Sequence, residues 1–420
     1  YLSPADLYQM ESANGLYGNG SKPRKSTIPT DPAAFQSDPT KVRADKPKDA
    51  PVISVEADDY NRYFMNQLYE LLTEYGPIHE VWFDGAHPKT KGGQTYIKTE
   101  WFKMIQQLAP DGVIFGGPDV RWCGNEAGKT RKSEWSVLTV SGIEESGLDR
   151  PQDDVGEDAA VTAKQFDVYG KKYPANFLYY LVPEINTSIR AGWFWRNEHE
   201  QSVRGPDDVF DIYERAAGGN GVFLLNVPPD KSGRFAPRDV ATLEEVGRRI
   251  RATYGDAARP RGGKPVDIHD GKLETYWQAA GKTGEVELTL PAARTINRVI
   301  IQEAISKVGQ RVAAHAVDVW VDGKWTEIAT ATTIGYRKIL RFPAVKTDRL
   351  RLRVLAARDF PAIAELDAAY YDAPVPAPEI SRDGSGRLVI RPPAAAAFAW
   401  KPHGQSDAST AMAQSIQFTT

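Results

Sequence analysis

The sequence predicts a multidomain chain: a (β/α)8-like barrel whose N-terminal strands are absent from this chain, then an antiparallel β-sandwich and a short β-rich tail. Three observations predict it. Over residues 1–255 short apolar runs alternate with helix-period segments, the mark of parallel βαβ units. Past residue 265 the hydrophobic period becomes two: Val286, Leu288 and Leu290 alternate, as do Val317, Val319 and Val321, and Leu350, Leu352 and Val354. A chain of 420 residues is also too long for one ordinary core.

Taken in order, Tyr1-Leu2-Ser3-Pro4 reads as the last residues of a strand. Residues 18–52, rich in Pro, Lys, Asp, Ser and Thr, read as a long loop or insertion, either a functional lid or a solvated surface segment. A helix begins at Asp59, with Tyr60, Tyr63, Phe64, Leu68, Leu71, Leu72 and Tyr75 at three- and four-residue spacing, and Gly76-Pro77 stops it. A buried strand follows and ends on Asp84-Gly85. Trp101, Ile105 and Leu108 mark the next helix, and residues 113–117, 135–140, 177–182 and 221–227 read as strands. Pro206 opens a helix carrying Val209, Ile212, Tyr213 and Ala216; a last helix carries Val240, Leu243, Val246 and Ile250 and stops at Gly255. That makes about five units and a stub, too few to close an eight-stranded barrel.

Residues 256–265 read as a linker and 266–374 as the sandwich, with Asp322-Gly323 as a hairpin turn. Residues 375–420 are Pro- and Ala-rich, with one strand expected at 387–391.

Composition narrows the function. A net charge of −3 supplies no basic field for nucleic acid, and no stretch is apolar enough to span a membrane. Cys123 is the single cysteine and the six histidines lack metal spacing. Ten Trp, eighteen Tyr and fifteen Phe suit stacking on sugars and equally suit ordinary cores. No secretory signal is visible, in a chain that opens on Tyr1 without Met.

Asp84 closes a strand, where a barrel enzyme keeps its chemistry. The strand expected at 113–117 leads into Gly117-Pro118-Asp119-Val120-Arg121-Trp122-Cys123-Gly124-Asn125-Glu126, which sets a second carboxylate, Glu126, on the following loop. Two such carboxylates are the minimum for glycoside hydrolysis, one attacking the anomeric carbon and one protonating the leaving oxygen. By spacing alone, Asp84-Gly85 is also a common turn and Glu126 a solvated loop residue.

The series Tyr75-Gly76-Pro77-Ile78, Val81-Trp82-Phe83-Asp84-Gly85-Ala86, Glu134-Trp135-Ser136, Ser188-Ile189-Arg190, Gly192-Trp193-Phe194 and Leu224-Leu225-Asn226-Val227-Pro228-Pro229-Asp230 resembles glycoside hydrolase family 29, the retaining α-L-fucosidases. The resemblance covers roughly residues 1–250 and implies Asp84 as nucleophile. The Arg121-Trp122-Cys123-Gly124-Asn125-Glu126 run is similar to the branch that prefers α-1,3- and α-1,4-linked fucose, and implies Glu126 as general acid/base. The family's early His-His-Asp-Gly segment has no counterpart here, and the 18–52 insertion exceeds the family's usual loop.

Further candidates for sugar contact are Trp82, His87, Asp119, Arg121 and Trp122, joined by Trp135, Glu184, Arg190 and Trp193. For Trp122, Trp193 and Trp195 the competing reading is core packing; for Glu184 and Arg190 it is a structural ion pair. Asp270-Gly271-Lys272-Leu273-Glu274-Thr275-Tyr276-Trp277 looks like the opening of a discoidin-like module, which implies a possible carbohydrate-binding module and a structural calcium ion. Against this, Asp270 reads as a turn residue, Trp277 as core, and the module as a wall that buttresses the barrel.

The expectation is therefore a periplasmic or secreted retaining exo-α-L-fucosidase acting on fucosylated glycans by double displacement, with no cofactor for the chemistry. Glu126 starts protonated and Asp84 ionised. The alternatives are a non-catalytic carbohydrate-binding protein on a degenerate barrel, or a different retaining glycosidase.

Overall fold

The computed structural model describes residues 1–6, 8–9, 14–16, 21–31, 50–85, 93–141, 165–168, 171–196, 201–259, 261–373, 379–382 and 388–391. Residues 1–371 form one compact body and residues 372–420 another.

Strands β1 (Arg24–Ile28) and β2 (Ile53–Ala57) pair antiparallel, from Arg24 opposite Ala57 to Ile28 opposite Ile53. The insertion read as a loop is thus closed at its base by a ladder. Charge had hidden β1, which shows burial only at its end, Ile28. Helix α1 (Asp59–Glu74) starts where the Asp58 carboxylate accepts the Asn61 N–H at 2.8 Å, capping an otherwise orphaned donor. Its Tyr60, Phe64, Met65 and Leu68 pack with Trp101, Met104 and Ile105 of α2 (Lys98–Leu108).

These helices cover a parallel sheet. Its strands are β3 (Glu80–Trp82), β4 (Val113–Phe115), β5 (Val120–Trp122), β10 (Val182–Ser188) and β11 (Val222–Asn226), neighbours in that order. Every pairing is parallel. Leu2 adds a stub outside β3, bridging Phe83 in parallel and donating its N–H to the Trp82 carbonyl at 2.9 Å. The result is a curled half-barrel of five strands and a stub. Helices α3 (Pro206–Ala216) and α4 (Pro237–Tyr254) flank β11 in the chain, and each begins with Pro, which lacks the N–H a first turn would leave unpaired.

Two strands differ from expectation. Residues 135–140 and 177–182 contribute β6 (Val137–Val140) and β9 (Phe177–Tyr180), which pair antiparallel with each other outside the parallel sheet. Between them lie β7 (Gln165–Val168) and β8 (Lys171–Pro174), a second antiparallel pair. The parallel sheet instead takes β5 and β10. The β10 sequence, Val-Pro-Glu-Ile-Asn-Thr-Ser, carries Pro183 and a polar residue at every second place, so it reads as a loop.

The C-terminal module is an antiparallel sandwich. Its strands are β12 (Trp277–Gln278), β13 (Gly284–Glu303), β14 (Val312–Val321), β15 (Lys324–Ala331), β16 (Lys338–Ala357) and β17 (Ala362–Ala369), ordered β12-β17-β13-β16-β14-β15. The alternating residues Leu288, Val317, Val319, Leu350 and Leu352 form its core. Asp322 (φ 51°) and Gly323 (φ 76°) make the two-residue hairpin turn, whose left-handed conformations suit these residue types. In the second body, β18 (Glu379–Arg382) pairs antiparallel with β19 (Leu388–Arg391).

Candidate active site

Period two along β3 puts Glu80, Trp82 and then Asp84 on one face, while Val81 and Phe83 pack toward α1 and α2. In-register neighbours extend the first face across the sheet: Phe115 beside Trp82, and Trp122 beside Glu184. Trp82 stacks on Phe115 with ring centroids 4.2 Å apart and on Tyr1 at 5.6 Å.

Asp84 is exposed, and Gly85 (φ 68°) turns the chain immediately after it. The Tyr1 hydroxyl donates to the Asp84 carboxylate, and the Ser3 hydroxyl donates to the Asp84 carbonyl at 2.7 Å.

Glu126 follows β5, so β4 lies between the strands that carry the two carboxylates. Its loop is folded around Asn125. That side chain accepts the N–H groups of Ala127 (3.1 Å) and Lys129 (3.0 Å) and donates to the Lys129 carbonyl (3.1 Å). Glu126 itself is exposed, and the Trp193 indole N–H donates to it at 3.2 Å. Asn226 at the end of β11 holds the Trp193 carbonyl at 3.0 Å, and Gln201 holds the Phe194 carbonyl at 2.9 Å. The loops after β5 and β10 thus meet at Glu126, and Asp84 follows β3 at the same C-terminal edge of the parallel strands.

Below them lies a buried acidic floor. Glu184 is fully buried, accepts the Trp82 indole N–H at 2.9 Å and the Asn186 amide at 3.4 Å, and interacts with the Glu80 carboxyl. Burial first, and then the Glu80 carboxyl, push Glu184 up to about 9, so it holds a proton at neutral pH.

Other candidates are placed differently. Arg121, on the opposite face of β5, is buried and paired with Glu134. Trp135 is buried with Leu138 and Leu181 under the Arg358 guanidinium, 4.1 Å from its ring. Arg190 forms a fully buried ion pair with Asp239 of α4 at 2.8 Å. Asp119 closes the turn between β4 and β5 by accepting the Ile114 N–H at 3.0 Å. Trp195 is half-buried, and His87 lies outside the described residues. Tyr1, Glu80 and Asn125 are not among the site residues the sequence predicts; Glu80 was findable, since period two from Asp84 through Trp82 reaches it.

In the sandwich, Asp270 and the carboxylates near it are engaged by the protein. Asp270 accepts the Lys272 N–H (2.9 Å) and the Thr275 hydroxyl (3.0 Å). Glu365 accepts the Gly271 N–H and the Arg261 guanidinium, each at 2.6 Å, and Asp367 is paired with Arg259 at 2.7 Å. No group of three acidic, His or Cys side chains among the described residues is arranged to hold a metal. Two guanidiniums, those of Arg261 and Arg259, supply the positive charge beside Glu365 and Asp367.

A profile of the alpha-L-fucosidase family matches residues 22–254, and one of the F5/8 type C domain matches 256–366. The chain belongs to the alpha-L-fucosidase family. This fucosidase-family chain is 33% identical over 330 residues to alpha-L-fucosidase 1 of Arabidopsis thaliana, covering 73% of this chain and 61% of that one. It is also similar to a Ruminococcus gnavus GH29 fucosidase solved in complex with fucose, with TM-score 0.58, 26% identity, and coverage of 75% of this chain and 66% of that one. A glycoside hydrolase 29 family member from an unknown rumen bacterium gives TM-score 0.50 at 28% identity, covering 79% of this chain and 59% of that one. The chain spans about three-fifths of the length of the curated relatives it matches. No helix among the described residues is long and apolar enough to cross a membrane.

Proposed function

We propose that this protein is a retaining exo-α-L-fucosidase that removes terminal α-1,3/1,4-linked L-fucose from branched glycans. The observation that carries the reading is the pair Asp84 and Glu126, exposed on loops at one edge of the parallel sheet in a chain of the alpha-L-fucosidase family. Each meets a neutral donor, the Tyr1 hydroxyl for one and the Trp193 indole for the other. Asp84 attacks the anomeric carbon and forms the fucosyl ester while Glu126 gives its proton to the departing oxygen. Glu126 then takes a proton from water, which attacks the same carbon and releases Asp84. A retaining pair works with its carboxyls about 5–5.5 Å apart.

Trp82, Trp122 and Trp193 supply apolar faces to the sugar. Glu184, protonated beneath Trp82, belongs to the floor, and Arg121, Trp135 and Arg190 belong to the framework. The chemistry needs neither metal nor cofactor, and a periplasmic or secreted setting fits a glycan substrate. The α-1,3/1,4 preference rests on the sequence around Glu126 alone.

The test is fucose release from a Lewis-type trisaccharide by the full chain, by Asp84→Asn and by Glu126→Ala. Release by the parent, none by Asp84→Asn, and azide rescue of Glu126→Ala are expected. Glycan binding without release by any of the three would leave a carbohydrate-binding protein instead.

A further inference from the structure

We propose that the β-sandwich positions the acid/base loop of the half-barrel, through Thr333 and Gln310 on one side and Glu134 and Arg131 on the other. The inference rests on the reading of Glu126 as acid/base.

The segment at 132–136 has no ladder partner of its own in the parallel sheet, and its backbone groups are satisfied largely by the sandwich. The Thr332 hydroxyl donates to the Lys132 carbonyl at 2.7 Å, and the Thr333 hydroxyl accepts the Glu134 N–H at 2.9 Å. Gln310 donates to the Glu134 carbonyl at 2.9 Å and accepts the Ser136 N–H at 2.8 Å. Asn220, at the turn between α3 and β11, also donates to the Glu134 carbonyl at 3.0 Å.

The sandwich side is itself fixed. The buried Glu303 carboxylate accepts the N–H groups of Arg311 (2.7 Å), Val312 (2.9 Å) and Gly335 (2.7 Å). It thereby holds together the two turns that carry Gln310 and Thr333.

From this anchored segment the Glu134 side chain reaches back into the barrel. It pairs with Arg121 of β5 and with Arg131 at 2.8 Å, and Arg131 donates to the Cys123 carbonyl at 2.7 Å. Cys123 is the first residue past β5 and opens the loop that ends in Glu126. Glu134 and Arg121 are buried, so moving one leaves the other a buried charge without its partner. The loop therefore follows the position of Glu134, and Glu134 follows the sandwich.

The test compares kcat/KM for a fucosylated trisaccharide, whose leaving group needs a proton, with α-L-fucosyl fluoride, whose leaving group does not. Thr333→Val and Gln310→Leu are expected to lower the trisaccharide value about tenfold and the fluoride value by no more than about twofold, with Thr333→Ser close to the parent. Arg131→Met, which breaks the same tie from the barrel side, is expected to show the same split and covers the case in which a sandwich variant does not fold. Equal losses on both substrates, tracking the fraction of folded protein, would overturn the proposal. Glu126→Ala serves as reference: without a leaving-group split in that variant the acid/base reading fails, whereas a split there and none in Thr333→Val or Arg131→Met sinks the positioning role alone.

Discussion

The Trp82 indole N–H donates to Oε1 of Glu184 over 2.9 Å, tying β3, which leads into Asp84, to β10 across the concave face of the half-barrel. The acceptor is a fully buried carboxyl pushed up to about 9 by burial and by Glu80. Between its ordinary value of 4.5 and that raised value, the folded chain holds a proton that the unfolded chain does not. Stability contributed by this group therefore falls as pH rises through the window. Glu184→Gln keeps the acceptor for Trp82 and has nothing to titrate. Its melting temperature should gain on that of the parent as pH goes from about 5 to about 9. Thermal melts of both proteins across that range decide it, and a constant gap would exclude a proton held on Glu184.

Trp193→Phe keeps an aromatic ring and deletes the donor to Glu126. If Glu126 is the acid/base proposed above, loss of one hydrogen bond on its carboxyl should lower kcat/KM about fivefold to tenfold. The loss should appear with a fucosylated trisaccharide, whose leaving group needs a proton, and be absent with α-L-fucosyl fluoride, whose leaving group does not. Equal losses on the two substrates would show that Trp193 only packs there.

Tyr1→Phe deletes the hydroxyl that donates to Asp84 and leaves the stack on Trp82 in place. A donor to the proposed nucleophile steadies its position and lowers its reactivity, and the two effects oppose each other. Positioning is expected to dominate, with the rate of fucosyl-enzyme formation falling about tenfold in single-turnover measurements. An increase would mean that the phenol restrains Asp84.

How much of this was legible in the sequence depends on which face a residue occupies. Strand β3 was readable because Val81 and Phe83 are apolar, although it ends at Trp82, two residues before the expected end at Asp84. The sandwich was readable because Leu350, Leu352 and Val354 alternate cleanly into one core. Strand β10 was not, since Glu184, Asn186 and Ser188 alternate along one of its faces after Pro183, leaving no apolar alternation to read. The same polarity hid the Glu80–Glu184 floor. Arg121 and Arg190 sit in motifs that suggest ligands, yet their partners, Glu134 and Asp239, come from segments 13 and 49 residues away along the chain. Local spacing carries no trace of such pairings.

Glu214 of α3 extends the same principle to the joint between half-barrel and sandwich. It is buried, and accepts Nε of Arg298 from β13 at 2.6 Å and the Tyr254 hydroxyl from α4 at 2.5 Å. Burial and then the Glu214 charge push the Tyr254 phenol well above its ordinary range, so it remains a donor at any working pH. Glu214→Ala would leave the Arg298 guanidinium buried opposite an empty space, and should cost about 3–5 kcal/mol in urea denaturation. Glu214→Leu combined with Arg298→Met removes both charges and restores apolar volume, so the pair should recover most of that loss. A double variant no more stable than Glu214→Ala would mean that the ion pair itself, rather than the penalty of breaking it, holds the two modules together.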